Sequence, residues 1–340
     1  MNPMPPRTLP TALQTAWLAR LLRRLAAPLA LAWIALPATA AAADCPPQAQ
    51  APSAEQVQTG LREAQDRGLL WRVSKGDQLG WLYGTLHVGR LAWAFPGPRI
   101  TQALLAADTV ALELDFSDPA IMQAFGQAVA ALQQRLAGHP LPAPLLARLA
   151  ALAKADCLAS AGFDAQPALL QVLALTVLAA RRDGLDPAFA QEFSLGGFAR
   201  AAGKALVSLE NPAAQLAALA PDDPAEMAAA VGQMLDQIEQ GQARRVLGQA
   251  AAVWARGDLE ALTRYGDWCA CLLTETDRAQ MRRLNDARNP ALADAITALL
   301  GQGKRVFAAV GALHMTGEQA LPRLLAQRGW RVERIPLAPL

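Results

Sequence analysis

Two stretches far apart in the chain share one local plan, and it restricts the fold more than any other feature. Trp81-Leu82-Tyr83-Gly84-Thr85-Leu86-His87 and Val306-Phe307-Ala308-Ala309-Val310-Gly311-Ala312-Leu313-His314 are each an apolar run followed by Gly-x-x-His. A short apolar run bounded by glycine reads as a buried β-strand. The glycine lets the backbone turn tightly where the strand ends and keeps the space beside it clear. The histidine then falls just past the strand's carboxyl end, the edge at which open α/β sheets bind ligands. The chain has only 3 histidines, and two of them occupy this frame. The two strands are therefore expected to lie close together and to aim both imidazoles at one point.

The rest of the chain supplies a mixed α/β (α+β) fold: a central mixed sheet, flanking helices and a largely helical middle that caps it. A short helix over 54–66 precedes a hairpin, with strands at 68–74 and 79–86 around Lys75-Gly76-Asp77. Pro96-Gly97-Pro98 breaks the chain before a helix over 99–107. Asp108 to Phe116 reads as the next strand, with Val110, Leu112 and Leu114 on one face and Ala111, Glu113 and Asp115 on the other. Two carboxylates on one face are costly if buried alone and comfortable beside a cation. Residues 117–203 and 212–300 are mostly helical and form the cap. His139, in the Pro-rich linker 138–144, is expected in an exposed loop. Lys204 to Glu210 is a strand ending in an acid, Arg288-Asn289-Pro290 opens a helix, 317–328 is a helix, and 330–335 is the last strand.

Residues 1–43 read as a cleavable signal peptide, and 44–340 as the mature domain. Arg20, Arg23 and Arg24 make a positive start, Leu25 to Leu36 a short apolar core, and Ala38 to Ala43 a run of small residues with cleavage after Ala43. Asp44 stands where a lipidated Cys45 would need a small residue, which argues against a lipoprotein. The mature chain has no stretch suited to crossing a membrane, so export to the periplasm or medium is expected. Export permits disulfides among Cys45, Cys157, Cys269 and Cys271. Cys269 and Cys271, two apart, would be strained if bridged to each other, which favours pairing each with Cys45 or Cys157. A net charge of +2 and scattered arginines lack the basic footprint of a nucleic-acid binder.

His87, His314 and Glu113 are two imidazoles and a carboxylate. Three ligands with one open position is the count of a catalytic zinc-type site, where bound water ionises near neutral pH and attacks a carbonyl. Glu210 or Asp115 could take the proton, and Arg288 and Asn289 could hold the substrate or a developing oxyanion. There is no His-Glu-x-x-His helix, no Gly-x-Ser-x-Gly elbow and no phosphate-binding Gly-rich loop.

At these residues the chain resembles the TraB/GumN family. Leu70 to Lys75, Leu82 to Gly89, Val110 to Asp115, Gly203-Lys204 through Glu210, Arg288-Asn289 and Val310 through Gly317 follow its motifs in order, over about residues 69–335. The resemblance implies a mixed sheet with helices, related to TIKI and ChaN-like proteins. TIKI members are metal-dependent proteases that use two Gly-x-x-His motifs and a glutamate, here His87, His314 and Glu113. Manganese or cobalt serves that branch, with zinc as a further candidate, whereas ChaN-like relatives bind haem iron. Gly311-Ala312-Leu313-His314 carries Leu313 where the family more often has glycine, which bears on pocket shape and substrate choice. The expected function is an exported metal-dependent hydrolase acting on a peptide or protein. The alternatives are a periplasmic protein that binds metal or haem without turnover, and a structural envelope factor.

Overall fold

A computed structural model describes residues 45–337. The segment read as a signal peptide lies outside the described residues. β1 (Leu69–Lys75) and β2 (Gln78–Thr85) form the expected hairpin, with Lys75 opposite Gln78. Gly76 in the turn takes φ +56°, a left-handed value that two-residue hairpin turns require and glycine adopts without a clash. β3 (Thr109–Leu112), β4 (Ala205–Ser208), β5 (Val306–Gly311) and β6 (Arg331–Ile335) complete a six-stranded mixed sheet in the order β4-β3-β5-β2-β1-β6. β4, β3, β5 and β2 run parallel, while β1 is antiparallel to both of its neighbours. The two Gly-x-x-His strands are direct neighbours, with Gly84 opposite Val310 and Thr85 opposite Gly311.

Among the longer helices are α1 (Ala54–Arg62), α2 (Pro98–Ala106), α3 (Pro119–Leu136), α4 (Ala143–Ala155), α5 (Ala168–Leu178), α6 (Gln191–Ala201), α7 (Pro212–Leu219), α8 (Pro224–Glu239), α9 (Gln242–Ala255), α10 (Asn289–Gly301) and α11 (Leu321–Gln327). α3, α7 and α8 begin alike, at Asp118-Pro119, Asn211-Pro212 and Asp223-Pro224. In each the acid or amide accepts a backbone N–H of the first turn. Proline loses nothing there, because that N–H has no partner within the helix. Among the described residues no helix is long and apolar enough to cross a membrane.

Two large apolar clusters organise the packing of the described residues, beside a small third one around Val88, Ala180, Leu185 and Ala251. One fills the sheet, with Leu82, Phe307, Val310 and Trp254 all buried. The other is built mainly from helices, with Leu132, Leu149, Val172, Leu175, Leu216, Met227, Val231 and Leu235 from α3, α4, α5, α7 and α8. Each such side chain contributes roughly 1.5–3 kcal/mol on leaving water. Trp254 on α9 also donates its indole N–H to the Gly84 carbonyl at 2.7 Å, tying the helices to the first motif. His139 is exposed in the loop between α3 and α4.

Three expectations are corrected. The strand expected over 108–116 stops at Leu112. Asp115 accepts the backbone N–H and hydroxyl of Ser117 at 3.0 and 2.5 Å, and this local turn releases the chain from the sheet. Asp115 and Glu113 therefore do not share a strand face. The helix expected from Gly317 begins only at Leu321, since Gly317 sits at φ +82°. The disulfides are Cys45–Cys157 and Cys269–Cys271, with Cα–Cα distances of 5.7 and 5.1 Å. The short bridge closes because Ala270 takes φ +51°, a left-handed turn whose carbonyl is held by Gln242 at 2.6 Å.

Candidate active site

Parallel β2, β3, β4 and β5 end at one edge of the sheet, and each is followed within three residues by a chemical group: His87, Glu113, Glu210 and His314. Backbone bonds continue past β3 and β4, from Leu209 N–H to the Leu112 carbonyl (2.8 Å) and from Glu210 N–H to the Glu113 carbonyl (3.1 Å), and hold the two acids side by side. A crossover helix runs back against the strand that follows it, so its first turn lies at the same edge. α6 brings Gln191 and Glu192 there, and α10 brings Arg288 and Asn289.

These groups meet around Gly311. A methyl group placed on Gly311 would stand 3.2 Å from Glu113 Oε1, 3.5 Å from His314 Cδ2 and 3.8 Å from His87 Nε2. Neither motif glycine has a positive φ. Gly311 is needed for space rather than for conformation.

His314 is 5% exposed and sits in a 3-10 turn, Ala312–Met315. Its Nδ1 lies 2.5 Å from Asn289 Oδ1. Asn289 is 0% exposed and donates its amide N–H groups to the carbonyls of Gln319 (2.8 Å) and His314 (3.4 Å). Those two acceptors fix which way the amide points, so Oδ1 accepts from Nδ1–H and Nε2 keeps its lone pair. Burial, with Arg288 and His87 adding to it against the pull of Glu113, lowers the His314 pKa to about 4, and the ring is neutral at neutral pH. Asn285, in one wide π-helical turn over Arg282–Asp286, braces the same loop through the Leu313 carbonyl at 3.2 Å.

His87 is the opposite case, with its side chain 66% exposed. Its Nδ1 stands 3.2 Å from Glu192 Oε1, which also accepts the Thr85 hydroxyl at 2.6 Å. The Glu192 charge raises the His87 pKa to about 9. Gln191 accepts the Leu86 N–H at 2.7 Å and fixes the turn from beside it. Sequence reasoning misses Gln191 and Glu192. The signal that could find them is their place in the first turn of a helix leading into a parallel strand, the place Arg288 and Asn289 hold for β5.

Arg288 joins the two acids. It donates to Glu113 Oε2 at 2.5 Å and to Glu210 Oε1 at 2.9 Å, and makes a further contact with Glu210 Oε2. Gln215 and the Gly311 N–H also donate to Glu113, at 3.3 and 2.7 Å. Burial works to raise the Glu113 pKa, but His87, His314, Arg288 and the Gly311 N–H outweigh it and hold the carboxyl at about 2. Two carboxylates against one guanidinium leave a net negative charge, which faces the charged ring of His87 and the neutral ring of His314. A carboxylate has about four lone-pair positions, so Glu113 retains one beyond its three donors. Asp115 lies apart, 3.5 Å from Arg200. Among the described residues no group of three His, Cys, Asp or Glu side chains is arranged to hold a metal ion as it stands.

A family model described as the TraB/PrgY/gumN family matches residues 69–334, which include every residue of this site. No curated relative and no solved structure matches the chain.

Proposed function

The chain belongs to the TraB/PrgY/gumN family, and on that footing we propose that it is an exported metal-dependent hydrolase, and within that class a peptidase. The observation that carries this reading is the cradle at Gly311, where a missing Cβ leaves room beside a carboxylate oxygen, one imidazole nitrogen and the ring of a second histidine. The donor set fits a divalent cation: a neutral imidazole, a second imidazole that an arriving ion would relieve of a proton, and an acid with a lone pair left, with the further acids Glu210 and Glu192 close by. His87, His314 and Glu113 would hold it, with manganese, cobalt or zinc as the candidates. Such an ion, when bound, supplies a Lewis acid and an activated water.

The remaining work falls to the chain. Asn289 keeps the His314 lone pair turned toward the cradle. Glu210 takes the proton, and Arg288 orients both acids and stabilises negative charge that develops on a substrate carbonyl. A signal peptide over 1–43 would deliver the protein to the periplasm or the medium, a setting in which its two disulfides persist. To test this, purify the mature chain, measure its metal content, and assay peptide cleavage with manganese, cobalt and zinc. Full metal binding by both His87→Ala and His314→Ala would overturn the assignment.

A second reading has one observation in its favour. Arg288 engages both oxygens of Glu210, which leaves that acid poorly placed as a free base and favours binding of metal or haem without turnover. Glu210→Gln separates the two. Under the first reading it abolishes hydrolysis and spares uptake; under the second there is stoichiometric uptake and no hydrolysis with any metal, before or after the change.

A further inference from the structure

One largely buried charge at the site has no task in the reaction just described. Glu192 Oε1 is shared between the Thr85 hydroxyl and His87 Nδ1, while Glu192 Oε2 is shielded from solvent and has no hydrogen-bond partner. An acid in the first turn of a helix is ordinarily favoured by the dipole alone, but that benefit is available at the surface. Sheltering a carboxylate oxygen without a donor is costly, and the dipole does not require it.

The other histidine indicates what Glu192 does. Asn289, at the start of α10, holds His314 by Nδ1. Glu192, at the start of α6, stands at the same nitrogen of His87. In both cases the acceptor lies on the Nδ1 side of the ring, and Nε2 of His87 lies toward Gly311 and Glu113. We infer that Glu192 is the positioning residue of His87: it holds the proton on Nδ1 and the ring angle, so that Nε2 faces the cradle and offers its lone pair there once the ring gives up its other proton. Thr85 holds Glu192 in turn. The exposed ring needs such a holder more than the buried one, because little packing restrains it. Partners of this kind set tautomer and orientation in histidine–metal sites. The inference rests on the metal reading above only for its effect on affinity.

Glu192→Met tests it, since the substitution keeps a chain of similar length and removes the acceptor. Two readouts are taken on the mature, disulfide-bonded protein. The first is the nitrogen NMR signature of the His87 ring in chelator-treated protein, recorded alkaline of its titration. The second is the affinity for manganese, cobalt or zinc by calorimetry. The wild-type ring should carry its proton on Nδ1, and Glu192→Met should move it to Nε2, the preference of histidine free in water, with His314 unchanged. Metal affinity should fall by about 10–100-fold. Glu192→Gln, which retains an acceptor oxygen, should restore the tautomer; a general loosening of the fold would not be rescued in that way. An unchanged tautomer and unchanged affinity in Glu192→Met overturn the inference. If wild-type protein takes up no metal, the hydrolase reading fails, and the tautomer still decides the role of Glu192. If Glu192→Met does not fold, Thr85→Val replaces it, with a smaller shift in the same direction expected and no shift counting against.

Discussion

His87 and His314 leave neighbouring strands through nearly the same residues, Gly-Thr-Leu-His and Gly-Ala-Leu-His, yet they arrive in opposite electrostatic states. The first is two-thirds exposed beside a carboxylate, and its pKa is raised to about 9. The second is enclosed and held by a neutral amide, with its pKa lowered to about 4. Burial disfavours the charged ring and a neighbouring carboxylate favours it, so the difference originates in α6 and α10 rather than in the motif. The glycines differ too. A methyl on Gly84 would meet Ala312 Cα at 3.2 Å and Ala312 Cβ at 3.3 Å, whereas one on Gly311 meets the site's own donors. The first glycine accommodates the second turn, and the second accommodates the chemistry. A repeated motif thus sets the chain's path, and the crossing helices decide what each copy can do.

If that division is right, damage at the buried turn should cost far more than damage at the exposed one. Asn289→Ala strips a partner from the His314 ring and from two carbonyls. With unsatisfied buried groups costing about 1–3 kcal/mol each, a total loss of about 2–4 kcal/mol in urea unfolding is expected. His87→Ala, at the exposed turn, should cost less, under about 1 kcal/mol, because solvent screens the pair it makes with Glu192. Comparable losses in the two variants would erase the distinction.

Acid and base should separate the turns as well. The folded pKa of His314, about 4, lies below its ordinary 6.5, so between those values the unfolded chain binds a proton that the folded one refuses. Stability in chelator-treated protein should fall as pH drops from 6.5 to 4, by on the order of 3 kcal/mol. Glu113, held near 2 against its ordinary 4.5, adds a loss only below 4.5. His87, held near 9, contributes stability that is present below 6.5 and is lost as pH rises toward 9, along a shallower limb because solvent screens an exposed pair. Unfolding midpoints across pH should show His314→Gln flattening the acid limb alone and His87→Gln the alkaline limb alone. A variant that flattened the other limb would contradict the assignment.

The sequence makes the path of the chain legible and leaves the holders obscure. Short apolar runs mark β2 and β5, and their shared ending anticipates that they are neighbours. Glu113 and Glu210 can be placed because each ends a run that must be buried. Glu192 cannot, because an acid in a first helical turn is ordinary and its burial depends on how α6 crosses the sheet. The Cys269–Cys271 bridge is hidden for a similar reason: it depends on a left-handed alanine, which residue type argues against. The helical cluster is legible only as apolar faces. Periodicity shows which side of α8 is buried, α5 is apolar nearly all round, and neither pattern shows that the two pack on each other.

The contrast between the glycines can be sharpened directly. Gly84→Ala pushes a methyl against the backbone of Ala312, which has little room to retreat because His314 and Met315 beyond it are buried. Overpacking of this kind costs about 1–3 kcal/mol, and that loss should appear in denaturant titration with the wild-type slope. Retained stability would mean that the second turn yields more easily than its packing implies.

Gly311→Ala should have the smallest effect on stability and the more informative one on the site. The atoms in its way belong to side chains, the Glu113 carboxylate and the two rings, and side-chain ends shift at less cost than backbone. A stability change under about 1 kcal/mol is expected. The carboxylate has little freedom to move, because Arg288 and Gln215 hold its other oxygen. The methyl would therefore occupy the space between acid and imidazoles instead of displacing them, and uptake of manganese, cobalt or zinc should fall at least tenfold in calorimetry while the fold persists. Were Gly311→Ala to bind metal as wild type does, any ion would have to lie away from this glycine, and the two glycines would then differ only in how tightly they are packed.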